Sequence, residues 1–445
     1  MSKSEETTLI VGAGIAGLTA AHLLSQQGEK CVVLEKDKEI GGLCRTFKMD
    51  DVTFDLGPHY FFDNPDLEAE RLMMSLLEGH EVIKRKFRFA IRDKGRQWRF
   101  PVCAVDMLLH PGEYSLRLLT QFLSKRKKPR GGMISAEREI VDKFGAFYYQ
   151  NAIGPMLAKK TLYPGSQIHH HWMARLDRDV NNAKEPFRGI SRIQHILRGI
   201  RVVLWPKSYL YPAAGHSFFV EKLCEKFRQS GGRIILDCGK ITFKTEGDYI
   251  RKVVANGTKF PASNVVWTGS INDLNDVIGS DAPKIEYLKV IIVLLSYNQA
   301  NRASRPFAYI YYPNQNLIFN RIYYPSSIYG AKSPPGREGI CFELNYKHQL
   351  DELTDEEIVT RTVAEADKCG LLGKDTLRQS TVIRLGECLP VYNLGYEAEM
   401  ERTFRDVHRF KNLFSVGRLG GYLFCMTPKA VNQGIKMAGH LLQNS

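Results

Sequence analysis

The segment Gly12-Ala13-Gly14-Ile15-Ala16-Gly17 constrains this chain most, because of what surrounds it. Thr8 to Val11 is an apolar strand-like run, Ile15 to Gln27 has helical spacing closed by Gly28, and Cys31 to Leu34 is a second apolar run. Together they predict a strand–helix–strand unit. Gly12 permits the tight turn, Gly14 lets backbone N–H groups approach a pyrophosphate, and Gly17 lets the helix pack on the strand. The helix N-terminus, with Ala16 in its first turn, supplies partial positive charge to phosphates. Glu35 closes the second strand 23 residues after Gly12, where a carboxylate can accept both hydroxyls of a ribose. The unit reads as a dinucleotide cradle, and by itself it does not choose between NAD and FAD.

The rest of the chain sets bounds. Its 445 residues are enough for two or three domains, and 44% apolar with 25% charged residues is the balance of a soluble globular protein. No apolar run reaches the roughly 18 residues that span a bilayer; the densest, Val290 to Leu295, reads as a buried strand. The polar start at residues 1–6 runs straight into a strand, so no signal peptide is expected. Nine cysteines, odd in number and without metal-ligand spacing, argue against a disulfide scaffold and for the reducing cytoplasm. Lys and Arg total 62 against 48 acids, a net charge of +14 that attracts anions. The one tight basic cluster, Lys125-Arg126-Lys127-Lys128-Pro129-Arg130, reads as a solvated loop and leaves open a peripheral contact with a membrane surface. No helix-turn-helix, zinc-finger or RNP pattern supports nucleic acid. His169-His170-His171 suggests a metal, but adjacent residues on a helix or strand are not expected to face one point, so no metal is expected.

Along the chain, residues 66–80 and 104–160 read as helical, Gly232 to Thr268 as strand-rich, and 287–347 as strands with aromatic loops. A helix is predicted over 355–369, strands over Thr381–Leu385 and Leu413–Val416, and a helix from Pro428 to Leu442.

After the second strand, Glu35-Lys36-Asp37 leads into Gly41-Gly42-Leu43-Cys44-Arg45. Two glycines there would let the chain pass close under an extended dinucleotide, and Arg45 could reach its phosphates. With Lys36, Gly42, Leu43 and Arg45 in this order, the segment resembles the second cofactor motif of the FAD-binding superfamily of amine oxidases, protoporphyrinogen oxidases and sugar-nucleotide mutases. That resemblance implies FAD as cofactor. It also implies an α/β fold: a Rossmann-like FAD-binding domain (GR2-type) with an interleaved antiparallel-sheet substrate domain and a helical insertion. The FAD-binding parts would be 1–101, 213–285 and 391–445, the helical part 102–212, and the antiparallel sheet 286–390.

Three further segments resemble UDP-galactopyranose mutases within that superfamily. Asp55-Leu56-Gly57-Pro58-His59-Tyr60-Phe61 resembles their histidine loop, which lies against the flavin; Gly57, Pro58 and His59 are carried over on it. Gly417-Arg418-Leu419-Gly420 resembles their late loop, whose arginine contacts the substrate diphosphate, a role that suits a bidentate guanidinium. The run around Phe319-Asn320-Arg321 resembles a strand pair delivering a second diphosphate-binding arginine, and Tyr392 matches tyrosines near the phosphates. The resemblance implies a nucleotide-activated sugar as the small-molecule substrate and redox-neutral covalent catalysis through flavin N5, with His59, Arg321, Arg418 and Tyr392 as catalytic candidates. The run Phe424-Cys425-Met426-Thr427-Pro428-Lys429 departs from the mutases' pattern. It keeps open two other outcomes: a net oxidoreductase of the amine oxidase or protoporphyrinogen oxidase type, and a non-catalytic flavin-dependent subunit.

Overall fold

A computed structural model describes residues 7–57, 59–62, 67–86, 88–93, 95–100, 112, 115–117, 120, 134–172, 208–298, 307–330, 335–372 and 377–444. Pro58, the basic run 125–130 and much of the expected helical part lie outside these residues.

The cradle forms as the sequence predicts. β1 (Thr8–Val11) is buried at all four positions, as a central parallel strand requires. It pairs in parallel with β2 (Cys31–Leu34) on one side and with Asn264–Trp267 on the other, Val11 facing both Leu34 and Trp267. Arg233–Ile235 and Leu413–Ser415 complete five parallel strands. One sheet thus gathers segments that are far apart in sequence. α1 (Ile15–Gln26) joins β1 to β2 and is buried at ten of its twelve positions. It packs between the helices Ser217–Gln229 and Thr427–Gln443. At Gly17 a Cβ would run into the Gly12 carbonyl and the Ile10 side chain, so only glycine lets α1 lie this close to β1.

The second large sheet has seven strands, in the order Leu377–Pro390, Tyr287–Asn298, Arg337–Tyr346, Arg321–Tyr323, Tyr309–Tyr311, Phe89–Asp93, Arg96–Phe100. Its pairs are antiparallel except Tyr309–Tyr311 with Phe89–Asp93. The interior strand Tyr287–Asn298, next to the edge strand Leu377–Pro390, is apolar on both faces. Val290, Ile292 and Leu294 face a core rich in aromatic residues, including Tyr60, Phe89, Tyr309 and Tyr323. Ile291, Val293 and Leu295 face a second core under the helix Asp355–Lys368. Residues 89–100, grouped by sequence with the FAD-binding part, pair instead at the edge of this sheet.

Among the described residues, helices that the sequence reading does not predict include Ile271–Ile278 and Tyr396–His408. Ile271–Ile278 is a short, partly polar run started by the Ser270 side chain, which accepts from the Asn272 N–H. Tyr396–His408 follows a left-handed Gly395. The described part of the helical region gives Ala136–Phe144 and Gly154–Thr161, with a π-helical turn at Tyr149–Ile153 between them.

Candidate active site

The β1–α1 turn is built to receive an anion. Gly12 has φ +108°, and a Cβ there would collide with the Thr268 side chain, whose hydroxyl donates to the Val11 carbonyl at 3.0 Å. α1 starts at Gly14 with no side-chain cap and no acidic residue in its first turn. The helix Asp355–Lys368, by contrast, has a full capping box from Thr354 and Glu357. An uncapped N-terminus leaves its N–H groups for a ligand. The Glu35 carboxylate accepts the Ala13 N–H at 2.6 Å and the Asp37 N–H at 3.0 Å, which holds it at the turn with lone pairs to spare. The second glycine turn docks here through Gly41 N–H to the Ala13 carbonyl at 2.9 Å. Arg45 donates to the Gly42 carbonyl at 3.0 Å and lies 3.8 Å from Glu39, so its guanidinium folds back over its own turn.

A cavity of about 730 Å³ runs from this turn to the C-terminal loops. Glu35, Gly14 and Gly42 line one end; His59, Arg418 and Thr427 line the other. Gly12, Ala16, Lys36, Leu43, Arg45 and Gly417 also contribute to its wall. Gly17, Gly57, Arg321 and Tyr392 do not line it. The far end repeats the logic of the near one. The helix Thr427–Gln443 begins at Met426 with no side-chain cap and no acid in its first turn. Two uncapped helix N-termini therefore face one cavity, and both favour negative charge. Arg418 spans the loop before that helix, its Nε donating to the Cys425 carbonyl at 3.1 Å and Nη2 donating to the same oxygen.

His59 approaches the Leu56 carbonyl with Nε2 at 3.2 Å and stacks on His216. His216 Nε2 lies 3.0 Å from Thr427 Oγ1, at the start of the C-terminal helix. Burial, together with the charges of Arg418 and Arg321, lowers the His59 pKa to about 4, so the ring is neutral at physiological pH. Arg321 is the other cation at His59, and it does not stand open. It forms a hydrogen-bonded ion pair with Glu343, which also accepts from Asn320 at 3.3 Å, and lies 4.8 Å over the Tyr309 ring. Burial opposes ionisation of Glu343, but Arg321 and Lys160 outweigh it and hold the carboxyl below its ordinary value. The Gly57 backbone passes beside the Arg321 guanidinium. Tyr392 is fully buried: its hydroxyl donates to the Tyr422 carbonyl at 3.1 Å and accepts the Phe424 N–H at 2.8 Å. It braces the late loop rather than lining the cavity.

Sequence reasoning missed several participants. The buried Asp55 carboxylate collects the Thr46, Tyr211 and Tyr329 hydroxyls, each at 2.5 Å, and the His216 N–H at 2.9 Å. Burial still pushes its pKa up. The buried Lys160 ammonium lies 5.3 to 5.6 Å from the rings of Phe424, Trp172 and Tyr311. Burial alone would raise the Tyr311 phenol, yet Lys160 and Arg321 bring it below the usual tyrosine value. His169, His170 and His171 also correct an expectation: adjacent as they are, a turn at His169–Trp172 brings their rings together.

Residues 10–76 match the NAD(P)-binding Rossmann-like domain. A 52-residue stretch is 50% identical to the inactive all-trans-retinol 13,14-reductase of Danio rerio; the match spans 12% of this chain and only 9% of that protein. Similarity in structure extends much further. A reduced UDP-galactopyranose mutase is matched over 99% of this chain and 96% of its own, with TM-score 0.80 and 18% identity. A putative protoporphyrinogen oxidase from Exiguobacterium sp. is matched over 100% of both chains, with TM-score 0.78 and 16% identity. Among the described residues no helix is long and apolar enough to cross a membrane. The chain therefore shares its overall fold with a UDP-galactopyranose mutase and a putative protoporphyrinogen oxidase.

Proposed function

We propose that this chain is an FAD-dependent flavoenzyme of the oxidoreductase type, acting on a small organic substrate in the cytoplasm. The observation that carries this is one cavity with Glu35 at one end, Arg418 and His59 at the other, and an uncapped helix N-terminus at each end. The residues fit the group. Glu35 would hold the adenosine ribose, the Gly12–Gly14 turn and α1 the pyrophosphate, and the Gly417 loop with the Thr427 helix the isoalloxazine. Bound there, FAD supplies two-electron redox chemistry or, in its reduced form, a nucleophilic ring nitrogen.

The chain's own residues then have distinct tasks. The uncapped Thr427 helix favours an electron-rich ring beside it. Neutral His59 adds a polar wall without adding charge. Arg418 fixes the loop through Cys425. The buried aromatic residues around Tyr60 and Tyr309 form a water-poor flank.

A second reading, flavin N5 covalent catalysis on a nucleotide-sugar as in a UDP-galactopyranose mutase, draws support from one observation: Arg418 and Arg321 both bear electrostatically on His59. The oxidoreductase reading is preferred because Glu343 already neutralises Arg321, and the Cys425 carbonyl engages two of the Arg418 donors. The two separate in one experiment. The purified chain with its flavin oxidised is offered a panel of amines, porphyrinogens and polyenes, with oxygen or quinones as terminal acceptors, and separately, after reduction with dithionite, UDP-galactofuranose. Substrate-dependent flavin reduction supports the first reading. Isomerisation of the sugar with no net electron transfer supports the second. A protein that takes up no flavin overturns both.

A further inference from the structure

Three consecutive histidines ought to diverge, because side chains step by about 100° on a helix and alternate on a strand. Here they converge. The ring centroids of His169, His170 and His171 lie 4.3 to 4.6 Å apart, and one nitrogen from each lies within 4.8 Å of the others. The backbone holds the tripeptide in place from both sides. The His169 N–H donates to the Tyr392 carbonyl at 2.7 Å, the His170 N–H to the Ile134 carbonyl at 3.0 Å, and the Trp172 N–H to the His169 carbonyl at 3.1 Å.

Two carboxylates complete the cluster. Glu139, on the helix Ala136–Phe144, lies 3.4 Å from His170 Nδ1. Glu397, in the first turn of Tyr396–His408, lies 3.2 Å from His171 Nδ1, where the Tyr396 hydroxyl also approaches to 2.9 Å. A carboxylate at Nδ1 fixes the tautomer that leaves the Nε2 lone pair for a metal, the pairing seen behind metal-bound histidines. Tetrahedral bonds of about 2.1 Å set donor atoms about 3.4 Å apart, so small rotamer changes would close the set.

We propose that His169, His170 and His171, oriented by Glu139 and Glu397 at the Nδ1 atoms of His170 and His171, form a site for a divalent transition-metal ion of the zinc class. The site joins three separate segments: the helix Ala136–Phe144, the tripeptide, and the start of Tyr396–His408. Trp172 follows directly and stacks on Phe424 at 5.2 Å, so the ion would brace the wall that carries Lys160 without touching the cofactor cavity. The proposal does not depend on the flavoenzyme reading.

The test uses the full chain, stripped with a chelator and titrated with Zn²⁺ against a chromophoric competitor, and with Co²⁺ for its ligand-field spectrum. One ion per chain, an intense tetrahedral Co²⁺ spectrum and a raised Tm are expected. His170→Asn with His171→Asn should abolish the binding while circular dichroism stays unchanged, and Glu139→Gln should weaken it about 10- to 100-fold. Equal affinity in the double variant overturns the site. Should that variant misfold, diethyl pyrocarbonate labelling of the unaltered chain decides: Zn²⁺ must protect residues 169–171, and unprotected labelling overturns the proposal.

Discussion

The imidazole of His59 stacks on that of His216, with centroids 4.8 Å apart and planes 24° apart, and both rings are held neutral. Burial is the main cause in each case. At His59 the charges of Arg418 and Arg321 add to it; at His216 the partner ring does. In the unfolded chain both would titrate near the ordinary histidine value of about 6.5. The unfolded state therefore binds protons first as pH falls. Stability should be full above about pH 6.5 and should fall towards pH 4, by about 3 kcal/mol for His59 alone. Asp55, whose pKa is raised, acts in the opposite sense over the acidic range. The His59→Asn variant isolates the histidine contribution. Urea unfolding at pH 7 and pH 5 should show a smaller loss in the variant than in the parent; equal losses would exclude His59 as the cause.

Asp55 is the hub beneath that histidine pair. Four donors converge on its two oxygens, and Tyr323 additionally brackets its backbone, donating to its carbonyl at 2.7 Å. Asp55→Asn keeps the shape but sets an NH₂ group where two donors now end. A loss of about 1–3 kcal/mol is expected, with Asp55→Ala worse because it strands all the donors. Chemical denaturation measures both. Unchanged midpoints would mean that the tyrosine hydroxyls find other acceptors.

The cradle offers a sharper test, because its chemistry is backbone chemistry. Gly12→Val forces a β-branched residue to φ +108° and drives its Cβ into Thr268. Strain of about 1–3 kcal/mol at the turn corresponds to about one to two decades in cofactor affinity. Flavin content after purification, and titration of the stripped protein with FAD, report it. Retention equal to that of the parent chain would put the cofactor elsewhere.

The parts that could be read in advance share a physical property: they are local. Four apolar residues, a glycine turn and a run such as Ile15–Gln26 settle their own structure, and Glu35 sits where the following strand must end. Arg418 was legible because a rigid glycine loop and a Thr-Pro helix start flank it. The rest depends on residues far apart in sequence. Asp55 is one acid among many until Thr46, Tyr211 and Tyr329 gather round it. Glu343 reads as an inward-facing strand residue, and only the register Arg321↔Glu343 shows that it cancels the arginine. The histidine cluster fails a periodicity argument because a turn supplies the convergence.

The Arg321–Glu343 pair sets the net charge on the buried side of His59. Both side chains are largely buried, with 17% and 10% of their surfaces exposed. Removing one partner of such a pair strands a charge: Arg321→Met should cost about 3–5 kcal/mol, whereas the double change Arg321→Met with Glu343→Leu should recover most of it. Glu343→Gln is the functional half of the test. It keeps a hydrogen-bonding side chain beside Arg321 while removing the negative charge, so the guanidinium becomes available to an anion. If the substrate is a nucleoside diphosphate sugar, UDP should bind this variant more tightly, by about tenfold for each 1.4 kcal/mol released. If the substrate is a neutral or cationic molecule taken for oxidation, UDP affinity should stay at background and turnover should fall with the lost charge balance. Calorimetric titration of UDP into the parent and the variant measures this difference directly.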